Sequence, residues 1–277
     1  TVFSNLWIAL SAAASTFLAY FIFQQQAIIA PIALLFFATF ARYNIIAFTL
    51  PDSVTGEKFI FMKQNRLLLK VLFALSSFAS LYFAWQLTLA QLILLGHLAI
   101  LTLWYIFPLP LGFTKIKPLR KLPFLKIFLI AYVWACSSYL MPLWPQLSLT
   151  STTALGFLER FLFLFAITIP FDIKDFADDT RLQLKTLPNS IGIPPSKWIA
   201  IGALLVCSII VSYLYSRWIS IGFILSYAIA APFIWYASPQ KSDLYFLGWV
   251  DGTMIWQMIL VYTSNEYLPL IIKSFIS

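Results

Sequence analysis

Apolar runs of about twenty residues recur along almost the whole chain, and no other feature restricts its fold as much. At roughly 1.5 Å rise per residue, such a run is what a helix needs to cross a hydrocarbon layer ~30 Å thick. About nine occur, centred near Ala12, Leu35, Phe78, Ala99, Val133, Phe163, Val206, Ala228 and Trp256. In lipid every backbone N–H and C=O must be satisfied internally, which leaves helices or closed barrels. A barrel would show short segments of alternating polarity. These runs are continuous, so the expected class is all-α: a polytopic membrane protein, with residues 1–277 forming a single transmembrane domain. Composition agrees, since hydrophobic residues make up 61% of the chain and charged ones only 10%, outside the range of an average soluble domain. The opening TVFSNLWIAL has no basic stretch, so the first run reads as a span and not as a cleaved leader. Cys136 and Cys207 lie in the middle of runs, where they serve as small apolar residues with no disulfide or metal spacing.

Charge placement gives an orientation. Lys58, Lys63, Arg66 and Lys70 follow the second run, Lys115, Lys117, Arg120, Lys121 and Lys126 the fourth, Lys174, Arg181, Lys185 and Lys197 the sixth, and Lys241 the eighth. The connections after the first, third and fifth runs carry no charge. Because Lys and Arg are retained on the cytoplasmic side, the N-terminus and the even connections are expected inside and the C-terminus outside, with Arg217 and Lys273 as exceptions. This expectation places a multi-pass protein in a bacterial inner, cytoplasmic membrane. The net charge of +8 is mainly a topology signal, with attraction to anionic headgroups or phosphates as a second use; the basic residues lie between spans and form no groove for nucleic acid.

One connection concentrates acid. In DIKDFADDTRLQLKTLPNSIG, residues 172–192, Asp172, Asp175 and Asp179 recur at helical spacing and would lie within roughly 60° of one another, while Asp178 falls further round. Like charges this close repel or hold protons, and a divalent cation removes the conflict. Mg²⁺ takes hard oxygen ligands and binds through one or two carboxylates plus a substrate's phosphates. Lys174, Arg181 and Lys185 are interleaved and suit phosphate charge. A solvated loop of mixed charge is the plainer alternative, against which stands its abutment on the apolar FLFLFAITIPF.

The segment resembles the second aspartate-rich signature of the UbiA superfamily of intramembrane prenyltransferases, D-x-x-D-x-x-x-D followed by a Lys/Arg-Thr-Leu-Pro stretch ending in Gly. Asp172, Asp175, Asp179, Lys185, Thr186, Leu187, Pro188 and Gly192 fall on it. In outline the resemblance spans the chain, with Asn5 in the first run and Tyr105 and basic residues at the end of the fourth. It implies helices around a central cavity open to lipid, and transfer of a prenyl chain from a polyprenyl diphosphate to a lipophilic, often aromatic acceptor, with Mg²⁺ as cofactor. It also implies that Asp172, Asp175 and Asp179 hold the metal, with Asp172, Asp175 and Lys185 catalytic. Arg42, Asn44, Asp52, Lys115, Lys117, Lys174 and Arg181 would bind diphosphate, and Tyr105 would line the cavity. No protein partner and no nucleic acid are expected.

The chain departs from the family at the first aspartate-rich motif, where Asn, Asp and Asp recur four residues apart. Here ARYNIIAFTLPDSVTGEK supplies Asn44 and Asp52 with Phe48 between them, and Pro51 breaks the helix before Asp52. An aromatic ring ligates no metal. Either one Mg²⁺ on the second motif suffices, aided by Asp52 or Glu57, or the protein binds isoprenoid lipid without turning it over.

Other polar residues say less. Arg42 could meet phosphate or snorkel to the interface. Glu159 and Arg160 lie about 18–20 Å down the helix from Asp172 and suit a structural pair or interface anchors. His97 suits a hydrogen-bonded core position, and Asp251 has no partner obvious from sequence. The second and sixth runs both end in a polar motif, four spans apart, so both can face one cavity mouth. A transporter would place polar groups near the bilayer midplane. A CDP-alcohol phosphotransferase would show Asp-Gly-x-x-Ala-Arg, from which DGTMIW at 251–256 departs.

Overall fold

The computed structural model describes residues 2–49, 57–106, 109–111, 114–116, 119, 122, 124–148 and 150–270. The helices are α1 (Leu6–Ile22), α2 (Ile29–Asn44), α3 (Ile46–Thr49), α4 (Glu57–Gln64), α5 (Arg66–Trp85), α6 (Leu89–Ile106), α7 (Leu125–Ala135), α8 (Met141–Leu143), α9 (Ser151–Lys174), α10 (Phe176–Arg181), α11 (Leu187–Ile191), α12 (Ile193–Leu214), α13 (Arg217–Trp235) and α14 (Asp251–Glu266). A π-helical turn, Cys136–Leu140, joins α7 to α8, and another, Tyr245–Val250, leads into α14. Each of the nine run centres falls inside a helix. Six stretches among the described residues are long and apolar enough to cross a membrane: Ile29–Phe48, Arg66–Trp85, Leu125–Leu143, Ser151–Lys174, Ile193–Leu214 and Arg217–Trp235. Leu6–Ile22 and Leu89–Tyr105 are apolar but shorter.

The Pro-rich connection after α6 departs from an all-helical reading. It forms a small antiparallel hairpin, β1 (Leu109–Leu111) with β2 (Thr114–Ile116), in which Pro110 faces Lys115. Proline cannot donate to a ladder, so a two-stranded ribbon with open edges is where it fits.

Helix α9 is the inner post of the bundle and α5 an outer one: 56% of the apolar stretch of α9 is buried against 11% for α5. Helix α9 packs on α7 and α12, α13 on α14, and α1 on both α2 and α14. Small residues allow these approaches. Ala9, Ser11, Ala12, Ser15 and Thr16 form the buried face of α1. A Cβ on Gly222 of α13 would stand 2.5 Å from the Val261 Cα of α14, so the crossing holds α14 at backbone distance.

Side chains of α1, α2, α6 and α7 leave a cavity of about 460 Å³ between them, lined chiefly by Leu35, Leu95, Leu98, Ile130, Val133 and Trp134. Arg42, Tyr43 and Tyr105, from the last turns of α2 and α6, also border it.

Candidate metal and diphosphate site

Local structure brings the aspartates together. Thr150 caps the start of α9, accepting from the Thr153 N–H at 3.2 Å, and Pro170 deletes a backbone hydrogen bond two residues before Asp172. The helix stops at Asp175 and resumes as α10, so the three carboxylates straddle a break and still converge. They converge on the ammonium of Lys126, in the first turn of α7. Its Nζ stands 2.9 Å from Asp172 Oδ1, 3.7 Å from Asp175 Oδ2 and 3.1 Å from Asp179 Oδ2. The Phe124 N–H donates to the Lys185 carbonyl at 2.8 Å, which ties the start of α7 to the loop after α10 and fixes where Lys126 points.

Three carboxylates against one ammonium leave two negative charges. Asp172 and Asp179 are 1% and 5% exposed, too buried for water to screen them. Lys126 compensates Asp172 Oδ1 at 2.9 Å, while Oδ2 of this buried carboxylate has no hydrogen-bond partner among the described residues. An orphaned buried carboxylate oxygen is costly unless something binds it. Asp175 is half exposed, yet desolvation at the bundle end raises its pKa above the ordinary carboxylate value; Lys126 opposes this, and Asp179 and Asp178 add to it. Among the described residues no three carboxylate, imidazole or thiol groups stand as a ready metal cage. The ammonium holds the central place, and the residual double negative charge and the orphaned Asp172 oxygen are what a divalent cation fits.

The other expected site residues fall in several places. Arg42 and Tyr105 border the cavity. Lys126 lies one helical turn from Leu129 and Ile130, which also line it, so α7 links the acidic cluster to the cavity although neither Lys126 nor the three aspartates line it. Lys174 pairs with Asp243 at 2.6 Å, and its ammonium lies 5.4 Å from the Phe246 ring centroid. Asn44 is fully buried in an amide clamp. Its Oδ1 accepts from Asn5 Nδ2 at 2.9 Å, and its Nδ2 donates to the carbonyls of Phe40 and Ser4. Asn5 has a left-handed backbone, φ 65°, which Asn tolerates. The geometry thus makes Asn44 a tie between α1 and α2 and not a free ligand. Lys185 and Arg181 turn away from the aspartates. A left-handed turn at Gln183, φ 53°, reverses the chain, and Lys185 lines a shallow surface pocket with Thr180, Asn189 and Ser190. Arg181 pairs with Asp178 at 3.0 Å on the exposed face of α10. Lys185, expected as catalytic, and Arg181, expected to bind phosphate, have none of the three clustered aspartates among their described ion-pair partners. Asp52 and Lys117 lie outside the described residues, as does the Lys115 side chain, and Glu57 is exposed at the start of α4.

Phe48, where a carboxylate was sought, is 45% exposed and packs edge-on against Phe73 at 5.1 Å. Lys70 lies over its ring at 5.1 Å, and Arg66 donates to the carbonyls of Ala47 and Phe48. Elsewhere, Glu159 and Arg160 are buried and therefore not interface anchors. Tyr227 donates to Glu159, and Arg160 donates to Gln257 Oε1 at 2.6 Å. His97 is exposed, not in the core, and shares a 3.2 Å hydrogen bond with the Tyr132 hydroxyl.

Lys126, at the centre of the acidic cluster, is the residue that spacing did not single out, since 46 residues separate it from Asp172. Its signal was faint: a lone lysine entering an apolar run, FLKIFLIAY.

No protein-family model matches the sequence, and no curated protein matches it. Two solved structures do resemble it. One, of a UbiA homolog from Archaeoglobus fulgidus bound to GPP and Mg²⁺, aligns with TM-score 0.63 and 12% identity over 95% of this chain and 99% of that one. The other, of a UbiA homolog from the same organism bound to DMAPP and Mg²⁺, aligns with TM-score 0.60 and 12% identity over 97% and 100%. The alignments run nearly end to end, and the chain is built on the UbiA fold.

Proposed function

We propose that the protein is a membrane prenyltransferase that uses Mg²⁺ to transfer a prenyl chain from a polyprenyl diphosphate to a lipophilic acceptor. The observation that carries this reading is the cluster of three aspartates around a single ammonium, with an unpartnered buried oxygen on Asp172, at the start of the same helix, α7, that lines an apolar cavity further along. Bound Mg²⁺ would supply charge neutralisation for the departing diphosphate. Asp172, Asp175 and Asp179 would hold it, with Lys126, Lys174 and Arg42 as the cations nearest the diphosphate oxygens. The bond between the prenyl C1 and the diphosphate oxygen breaks, its electron pair leaving with the diphosphate. The acceptor donates a pair to C1 and loses a proton. The cavity walls, Leu35, Leu98, Val133 and Trp134, hold the tail and exclude water from the allylic centre, with the Tyr43, Tyr105 and Trp134 rings close enough to face developing positive charge. The bilayer is the solvent of both substrates, and the site is read as opening to the cytoplasm, where the basic connections lie.

Phe48 favours a second reading, an isoprenoid-binding protein without turnover. Purified protein in lipid nanodiscs, given a polyprenyl diphosphate and a panel of aromatic and lipophilic acceptors, separates the two. Transfer that depends on Mg²⁺ supports catalysis; saturable binding without product from any acceptor supports the second reading.

A further inference from the structure

A second polar station lies beside the first, assembled from α4, the end of α9 and the start of the last helix. Asp243 organises it: one carboxylate oxygen takes the Lys174 ammonium at 2.6 Å, and the other accepts the backbone N–H of Lys58 at 3.2 Å. The Lys58 ammonium reaches to within 5.9 Å of the Tyr43 ring centroid, and Tyr43 borders the cavity. Lys58 and Lys174 are close enough for each charge to act on the other, and both act on Asp251. Asp251 follows directly on the π-helical turn, a feature that re-aims side chains and is frequent at functional sites. It is 8% exposed, and among the described residues no hydrogen bond or ion pair within 4 Å engages its carboxylate. Two ammoniums and a mostly buried acid are thus gathered at one end of the bundle, around the Asp243 carboxylate.

Charge decides what such a group can take. At the aspartate cluster the deficit equals one divalent cation. Here two ammoniums meet one ion-paired carboxylate, Asp243, while burial favours the neutral form of Asp251 and Phe48 adds no charge, so among the described residues no charge deficit calls for a second metal ion. Asp243 takes the Lys174 ammonium and the Lys58 backbone N–H, which leaves Lys174 further donors, since an ammonium has three, and does not engage the Lys58 ammonium.

Resting on the reading of the site as one for prenyl diphosphate, we propose that this chain holds the diphosphate with one divalent cation and a lysine pair, Lys58 and Lys174, positioned by Asp243, in place of a second metal. The alpha phosphate would then face the metal at Asp172 and the other end of the diphosphate the lysine station.

The test needs no acceptor. Manganese is titrated into the full chain in nanodiscs with inorganic pyrophosphate, and bound metal is counted by electron paramagnetic resonance while pyrophosphate affinity is read by calorimetry. One manganese per chain is expected; two overturns the proposal. Lys58→Met and Lys174→Met should each weaken pyrophosphate binding at least about tenfold, the loss of a charge-assisted bond, while manganese affinity without pyrophosphate stays within about twofold of wild type. Lys58→Arg, which keeps the charge, should bind within a few-fold of wild type and so separates lost charge from lost fold. Unchanged pyrophosphate affinity in both methionine variants overturns the lysine pair and leaves the proposed function standing. A wild-type chain that binds no pyrophosphate overturns both.

Discussion

Where α9 ends, three carboxylates crowd one ammonium; where α2 ends, an aromatic ring lies beneath an ammonium and two asparagines satisfy each other. In the outline of the UbiA family both places would carry acid. The contrast shows how the same vertical position in one bundle can be spent differently. The α9 end is electrostatically incomplete and therefore ready to bind a cation. The α2 end is complete, its amide side chains paired and the carbonyls of the short α3 that follows it capped by Arg66, and so is mainly structural.

The largest test of that contrast is at the incomplete end. Asp172→Asn removes a charge and a ligand together and should lower Mg²⁺-dependent transfer by about two orders of magnitude or more, measured as diphosphate release, with the fold kept. The corresponding change at the complete end, Asn44→Ala, should act on stability and not on metal. Losing the Asn5–Asn44 hydrogen bond, with only the Tyr43 carbonyl at 3.3 Å left to the Asn5 amide, costs about 1 kcal/mol, visible as a lower melting temperature with manganese binding unchanged. Lys126→Met should behave in a third way. Without metal the three carboxylates lose the one ammonium that lies within 4 Å of all of them among the described residues, and unfolding becomes easier by about 3 kcal/mol, in the range for breaking buried pairs. Added Mg²⁺ should then raise the melting temperature more than it does in wild type. An equal shift in the two proteins would mean that Lys126 and metal do not share a place.

Phe48→Asp probes the same comparison from the other side. The ring is partly exposed, so its loss should cost about 1 kcal/mol of contact with Phe73, and the new carboxylate should raise bound manganese from one to two per chain. The smallest effect is acid dependence at Asp243. Burial alone would raise its pKa, but the hydrogen bond and charge of Lys174, with the amide and charge of Lys58, bring it below the ordinary value. A depressed carboxylate contributes stability that is full above its unfolded pKa of about 3.9 and is lost as pH falls through the folded value. Melting curves at pH 7 and about pH 3 should therefore differ by less in Asp243→Asn than in wild type.

Much of the helix layout was legible, because periodicity at lipid depth is a strong constraint. Every run centre lies in a helix, and Asp178 is indeed the aspartate that turns outward. The hairpin at 109–116 was not legible, since proline signals a break in helix without saying what replaces it. The acidic half of the site could be read because its members are close in sequence and one helical face sets their spacing. Lys126, Lys58, Asp243 and Asp251 come from helices brought together only by packing, and no local pattern records that. Lys185 shows a related limit: the residue matches a linear signature, but the backbone around it, with a left-handed turn at Gln183, is not written in that signature. His97 shows the same limit, since an apolar run does not say whether a position faces the core or the lipid.

The most direct measurement is metal-dependent diphosphate release by the full chain in nanodiscs, comparing wild type with Asp172→Asn at matched folding. The account predicts release that needs Mg²⁺ and a lipophilic acceptor in wild type and falls to background in Asp172→Asn. Equal release from the two proteins, or release that ignores Mg²⁺, would contradict it.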